Sequence, residues 1–198
     1  MSTEVLLQHF LMYLVVPVWL LAGLADYFCH RATHIERTSG VAESLLHVLQ
    51  FVEVGVPLLA VLFLEVNAAV LLATLIGLVL HQATAVWDVR YANTTRRVTP
   101  AEQHIHGVLE MAPVVATAVV VILNWPDFLG LFGVGDARFA LEPKHDPLPG
   151  QYLAAVMAGV LSCGMLPYAE ELLRTLRARA KTQSQLDGNA RPRAGVGR

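Results

Sequence analysis

Charge is scarce in this chain: Asp, Glu, Lys and Arg make up 15% of its 198 residues, while 55% are hydrophobic. With a mean hydropathy of +0.52, that composition excludes an ordinary soluble domain. Cysteine is nearly absent. Cys29 and Cys163 both lie in apolar segments, so neither a disulfide framework nor a zinc-finger pattern is present. The N-terminus, Met1-Ser-Thr-Glu4, lacks the basic start of a secretory signal, and the apolar run behind it is too long for one. It reads as a retained first span. No internal repeat is visible, and no nucleic-acid partner is expected.

What is present is length of apolar run. Crossing roughly 30 Å of hydrocarbon takes about 20 residues, and five segments qualify, at about 5–35, 41–64, 68–91, 100–123 and 151–176. The fold expected is all-α and polytopic, with the first four helices forming a metal-binding bundle. Residues 177–198 read as a disordered basic cytoplasmic tail. The fourth helix has a marked start: Thr99 as cap, Pro100 at the first position and Glu102 at the third.

Positive charge sets the orientation. Five spans put Arg31, Arg37, Arg90, Arg96, Arg97, Arg174, Arg177, Arg179, Lys181, Arg191, Arg193 and Arg198 on one side and only Arg138 and Lys144 on the other, twelve against two. The N-terminus is expected outside and the C-terminus in the cytoplasm, in a bacterial inner membrane.

Against this apolar background, polar residues recur in stripes. The first helix carries Asp26, His30 and His34; the second Glu43 and His47; the third His81 and Asp88; the fourth Glu102, His106 and Glu110. Spacings of four and seven keep each set on one helix face. At a rise of roughly 1.5 Å per residue, His34, Glu43, Asp88 and Glu102 lie within roughly 5 Å of the cytoplasmic helix ends. His30, His47 and His106 follow at roughly 10 Å, and Asp26, His81 and Glu110 at roughly 15 Å. Ionisable groups at such depth are costly in a membrane and point to function.

Imidazole and carboxylate without thiolate suit two metal ions, with iron favoured and manganese or zinc as alternatives. The ligands expected are Asp26, His30, His34, Glu43, His47, His81, Asp88, His106 and Glu110. Glu102, His104 and Glu53 are possible additions. Glu102 is equally explained as a capping glutamate, Asp88 has an alternative in pairing with Arg90 or with an arginine of the following loop, and His104 faces away from His106 around the helix. Glu53 lies near the middle of the second helix, and Pro57 four residues later frees its carbonyl. It reads as a neutral acid, a proton-relay member or a deep ligand.

His30-Arg-Ala-Thr-His34 resembles the first His-x-x-x-His box of integral-membrane fatty-acid desaturases and hydroxylases. The later His-x-x-His-His boxes are absent. The abundant carboxylates look like those of ferritin-type di-iron bundles, although Glu43-Ser-Leu-Leu-His47 is one residue longer than Glu-x-x-His. The resemblance implies a membrane di-iron oxygenase that hydroxylates or desaturates a lipophilic substrate drawn from the bilayer, with a cytoplasmic electron donor. The alternatives are a zinc-dependent membrane hydrolase, a proton- or metal-coupled carrier, and a b-type cytochrome ligated by His47 and His106.

Overall fold

The apolar runs and their breakers set the architecture. The computed structural model describes residues 1–190, and among them every regular element is a helix, with one antiparallel bridge between Leu64 and Pro143. Five helices are long and apolar enough to cross a membrane, so the all-α, five-span expectation holds. Helix α1 covers Thr3–Ala32, α2 Val41–Phe63, α3 Ala68–Thr95 and α4 Pro100–Leu123. A short α5, Trp125–Gly130, follows. Helix α6 begins with Gly150–Gly159, widens through Val160–Met165 and continues as Leu166–Ala190.

Two helices contain a widened π turn, Leu11–Val15 in α1 and Val160–Met165 in α6. Pro17 and Pro167 lie just beyond them. Each proline lacks the N–H that a carbonyl one turn back would accept, and the wider turn absorbs that mismatch.

Helix ends differ from the sequence reading for local reasons. Helix α1 stops at Ala32 rather than near residue 35. The Thr33 hydroxyl donates to the Cys29 carbonyl at 2.9 Å, and His34 takes a left-handed conformation, φ 52°. Ile35 is then fully buried and its carbonyl accepts from Gly40 N at 2.7 Å. Gly40, at φ 68°, turns the chain into α2. Helix α3 runs on to Thr95 because the Thr94 and Thr95 hydroxyls donate to the Tyr91 carbonyl at 2.7 and 3.1 Å. Its extension delivers Arg96 to the bundle end.

Helix α6 also runs past the expected limit at residue 176, as far as Ala190. Residues 177–186 are mostly Arg, Ala, Lys, Gln and Leu, which are good helix formers. Residues 177–190 of the expected tail are therefore helical, and residues 191–198 lie outside the described residues.

The bundle is built on close helix contacts. At Gly77 of α3, a Cβ would sit 2.6 Å from Pro57 Cγ and 2.7 Å from the Glu53 carbonyl oxygen of α2. Gly164 of α6 similarly receives the Phe51 ring of α2. The bundle is thus not confined to the first four helices; the fifth span packs into it. Gly77→Ala should destabilise the protein by about 1–3 kcal/mol through overpacking. Gly55→Ala, in open space on the same helix pair, should be neutral or slightly stabilising. Unfolding in mixed detergent–SDS micelles would compare them, and equal stability of the two variants would refute the close contact.

Apolar side chains such as Phe28, Leu49, Val56, Val79 and Trp87 face outward, as lipid contact requires. The largest fully buried side chains include His30, Glu43, Glu102 and Glu171. The tightest part of the interior is therefore polar, and it lies at the arginine-rich end.

Candidate functional site

The stripes converge. Asp26 and His30 of α1, Glu43 and His47 of α2, Asp88 of α3, and Glu102 and His106 of α4 meet in one cluster. It is closed by Glu171 of α6 and Arg96 from the α3–α4 turn. Spacing by four on three helices brings both members of each pair to the same face. Two groups are compact enough to hold a metal ion: Asp26, His30, Glu102 and His106, and His30, Glu43 and His47.

Glu171 organises the centre. Nδ1–H of His30 donates to its Oε2 at 2.9 Å, and Nδ1–H of His47 donates to its Oε1 at 2.7 Å. A carboxylate only accepts, so both rings carry a proton on Nδ1 and turn Nε2 to the other side. The two rings stack with centroids 4.3 Å apart and planes 7° apart. His30 Nε2 lies 3.4 Å from Asp26 Oδ1 and 3.4 Å from Glu102 Oε1. His47 Nε2 lies 3.4 Å from Asp88 Oδ2 and 3.9 Å from Glu43 Oε1. His106 Nε2 approaches Asp26 Oδ1 to 3.0 Å.

Arg96 spans two carboxylates. Its Nε donates to both Glu43 oxygens at 3.1 Å, and its Nη1 donates to Glu102 Oε2 at 3.0 Å. Its Nη2 reaches both acids as well. Burial works against the guanidinium's charge, but the bonds to Glu102 and Glu43 outweigh it and raise its pKa above the ordinary value. Glu102 also completes the capping box, accepting from Thr99 N at 3.3 Å while its own N–H donates to Thr99 Oγ1 at 3.2 Å. The two readings of Glu102, cap and cluster member, are both realised. Asp88 accepts from Gln50 Nε2 at 3.2 Å and lies beside His47 rather than Arg90.

Other expected ligands lie elsewhere. The His34 side chain is 66% exposed and sits 3.3 Å from Glu36, which also pairs with Arg174. Burial raises the Glu36 pKa, but its own backbone N–H, Arg174 and His34 outweigh that and lower it. His104 is exposed. His81 is buried beside Gln50, Leu109 and Tyr168, with neither ring nitrogen hydrogen-bonded among the described residues. Glu110 borders a small cavity with Asp26 and His106, and its backbone carbonyl accepts from Gln82 at 3.0 Å. Neither His81 nor Glu110 belongs to the two compact groups.

Glu171 and Arg96 were missed. Gly164, Pro167, Glu171 and Thr175 form a buried stripe on α6; their spacing of three and four was the available signal. Arg96 looked like any loop arginine.

A second feature occupies the opposite half. A cavity of about 520 Å³ runs from Glu65, Asn124 and Lys144 inward to Glu53 and Pro57, with mostly apolar walls. Glu53 Oε1 accepts from the Thr84 hydroxyl at 2.9 Å. Its Oε2 is buried with no partner among the described residues.

Residues 1–132 match the family of sodium:solute symporters. The match covers α1 to α5 and ends before α6. No curated protein and no solved structure matches the chain. The family match overturns the resemblance to desaturases and hydroxylases, and with it the oxidoreductase, monooxygenase and desaturase reading. His30-x-x-x-His34 is not a paired ligand box, since only His30 points into the cluster. The family match does not support the lipophilic substrate and electron donor implied by that resemblance.

Proposed function

The chain belongs to the sodium:solute symporter family, and on that premise we propose that it is a sodium-coupled carrier. Its arginine-rich end would face the cytoplasm of a bacterial inner membrane. The family match carries this reading, and the cavity leading to Glu53 supports it.

A carrier needs a polar site near mid-membrane that one face can reach. Glu53 is that site. Its free Oε2, the Thr84 hydroxyl beside it and the carbonyl freed by Pro57 supply oxygen donors only. Such a set suits a hard cation. The apolar walls leading to it favour a small solute with an apolar body. Pro57 in α2 and Pro113 in α4 border the same cavity, where a break in helical hydrogen bonding allows the wall to adjust.

Radioactive sodium uptake into proteoliposomes tests this. Wild-type vesicles should take up sodium saturably, in preference to potassium, and Glu53→Gln should reduce uptake at least tenfold. Uptake no greater than in empty vesicles would sink the proposal. Unchanged uptake in Glu53→Gln would remove the site from it.

A further inference from the structure

The buried cluster at the arginine-rich end lies outside the Glu53 cavity, and its donors are of another kind. We propose that it binds a pair of divalent transition-metal ions, one on Asp26, His30, Glu102 and His106, the other on Glu43, His47 and Asp88. This goes beyond the carrier reading and does not depend on it.

Unpartnered atoms are the first support. His30 Nε2, His47 Nε2 and Asp88 Oδ1 have no hydrogen-bond partner among the described residues, although the three residues are at most 4% exposed. Buried polar atoms are rarely left so. His30 Nε2 lies 3.4 Å from both Asp26 Oδ1 and Glu102 Oε1, and His47 Nε2 lies 3.4 Å from Asp88 Oδ2. That is long for a hydrogen bond. It matches the roughly 3.0–3.4 Å between neighbouring ligand atoms that each lie about 2.0–2.1 Å from one ion.

The second support is orientation. A metal-bound histidine characteristically donates its other N–H to a carboxylate, which fixes the tautomer and aims the free nitrogen. Glu171 does this for His30 and His47 together. Because the two rings are parallel and 4.3 Å apart, ions on their Nε2 atoms would lie about 4 Å apart, the spacing of two-metal sites. A cavity of about 30 Å³ bordered by Asp26, His47, Asp88 and His106 lies beside them.

Charge is the third. Asp26, Glu43, Asp88, Glu102 and Glu171 are all buried, and Arg96 neutralises one of the five. Two divalent ions would balance the remaining four with the histidines neutral. Arg96 leaves one oxygen of each acid open: Glu43 Oε2 and Glu102 Oε1 each accept a single bond from it and keep a second lone pair, whereas Glu43 Oε1 and Glu102 Oε2 each accept two. Imidazole donors direct the choice to first-row transition ions such as zinc rather than sodium.

The test uses the full chain in detergent, stripped with a chelator, titrated with Zn²⁺ by calorimetry and measured by elemental analysis after desalting. Two zinc ions per chain are expected. His47→Ala and His106→Ala should each retain one, while His34→Ala and His104→Ala should retain two. Because variants at buried positions can misfold, zinc-induced stabilisation gives a second readout. The rise in Tm should shrink in His47→Ala and His106→Ala and persist in His34→Ala. No bound zinc, one ion per chain in the wild type, or binding unaffected by either cluster variant would each overturn the inference. Sodium uptake measured on the same preparation separates the two readings. Zinc binding without sodium flux keeps this one and removes the carrier, and sodium flux without zinc does the reverse.

Discussion

Arg96→Met should destabilise the metal-free protein by about 3–5 kcal/mol, the cost of leaving buried charge unpaired. Arg96 touches all four oxygens of Glu43 and Glu102, and both acids are fully buried. Methionine fills similar space and offers no charge, so two carboxylates would face each other in a low-dielectric interior. Arg96→Lys should recover only part of the loss, because an ammonium is a point charge and cannot serve two carboxylates with a planar fork. Adding Glu43→Gln and Glu102→Gln to Arg96→Met should restore much of the stability, since the unpaired charges are then gone. Unfolding in mixed detergent–SDS micelles, with chelator present, measures all of these. An Arg96→Met protein within about 0.5 kcal/mol of wild type would show that the cluster does not hold these acids ionised.

Arg96 also shows where sequence reasoning stopped. The five spans were legible because apolar run length is a one-dimensional signal, and the cap at Thr99-Pro100-x-Glu102 was legible because its geometry is local. Asp26, His30, Glu43, His47, Asp88 and His106 were legible as helix-face stripes at matching depth. His34 shares the spacing but not the face. The helix ends at Ala32, and a periodicity argument fails one residue beyond the last turn. His81 and Glu110 lie deeper along their helices, and the inter-helix registry that keeps them out of the compact groups is set by contacts such as Gly77 against Pro57. Spacing within one helix does not carry that registry. Arg96 was hidden for the same reason: it sits beyond a helix end, where only tertiary packing reveals that it points inward. Glu171 had a signal in its spacing from Gly164, Pro167 and Thr175, masked by the interfacial charge on the same helix.

Glu171→Leu should cost about 2–6 kcal/mol, because two buried imidazole N–H donors lose their acceptor at once and each unsatisfied donor costs about 1–3 kcal/mol. The more informative variant is Glu171→Gln. An amide has one acceptor oxygen and one donor nitrogen, so it can still receive Nδ1–H from either His30 or His47. The other ring then meets an N–H and must move its proton to Nε2 or give up the bond. Stability should fall by about 1–3 kcal/mol. Nitrogen-15 spectra of histidine-labelled protein, taken without metal, should show one ring changing tautomer while its neighbour keeps the wild-type form. In the wild type both Nδ1 atoms should appear protonated, as their 2.9 and 2.7 Å contacts to Glu171 require. Identical spectra and equal stability in wild type and Glu171→Gln would mean that Glu171 does not set the orientation of the two rings. A tautomer change without loss of stability would mean that the rings are aimed by Glu171 but anchored by their stacking.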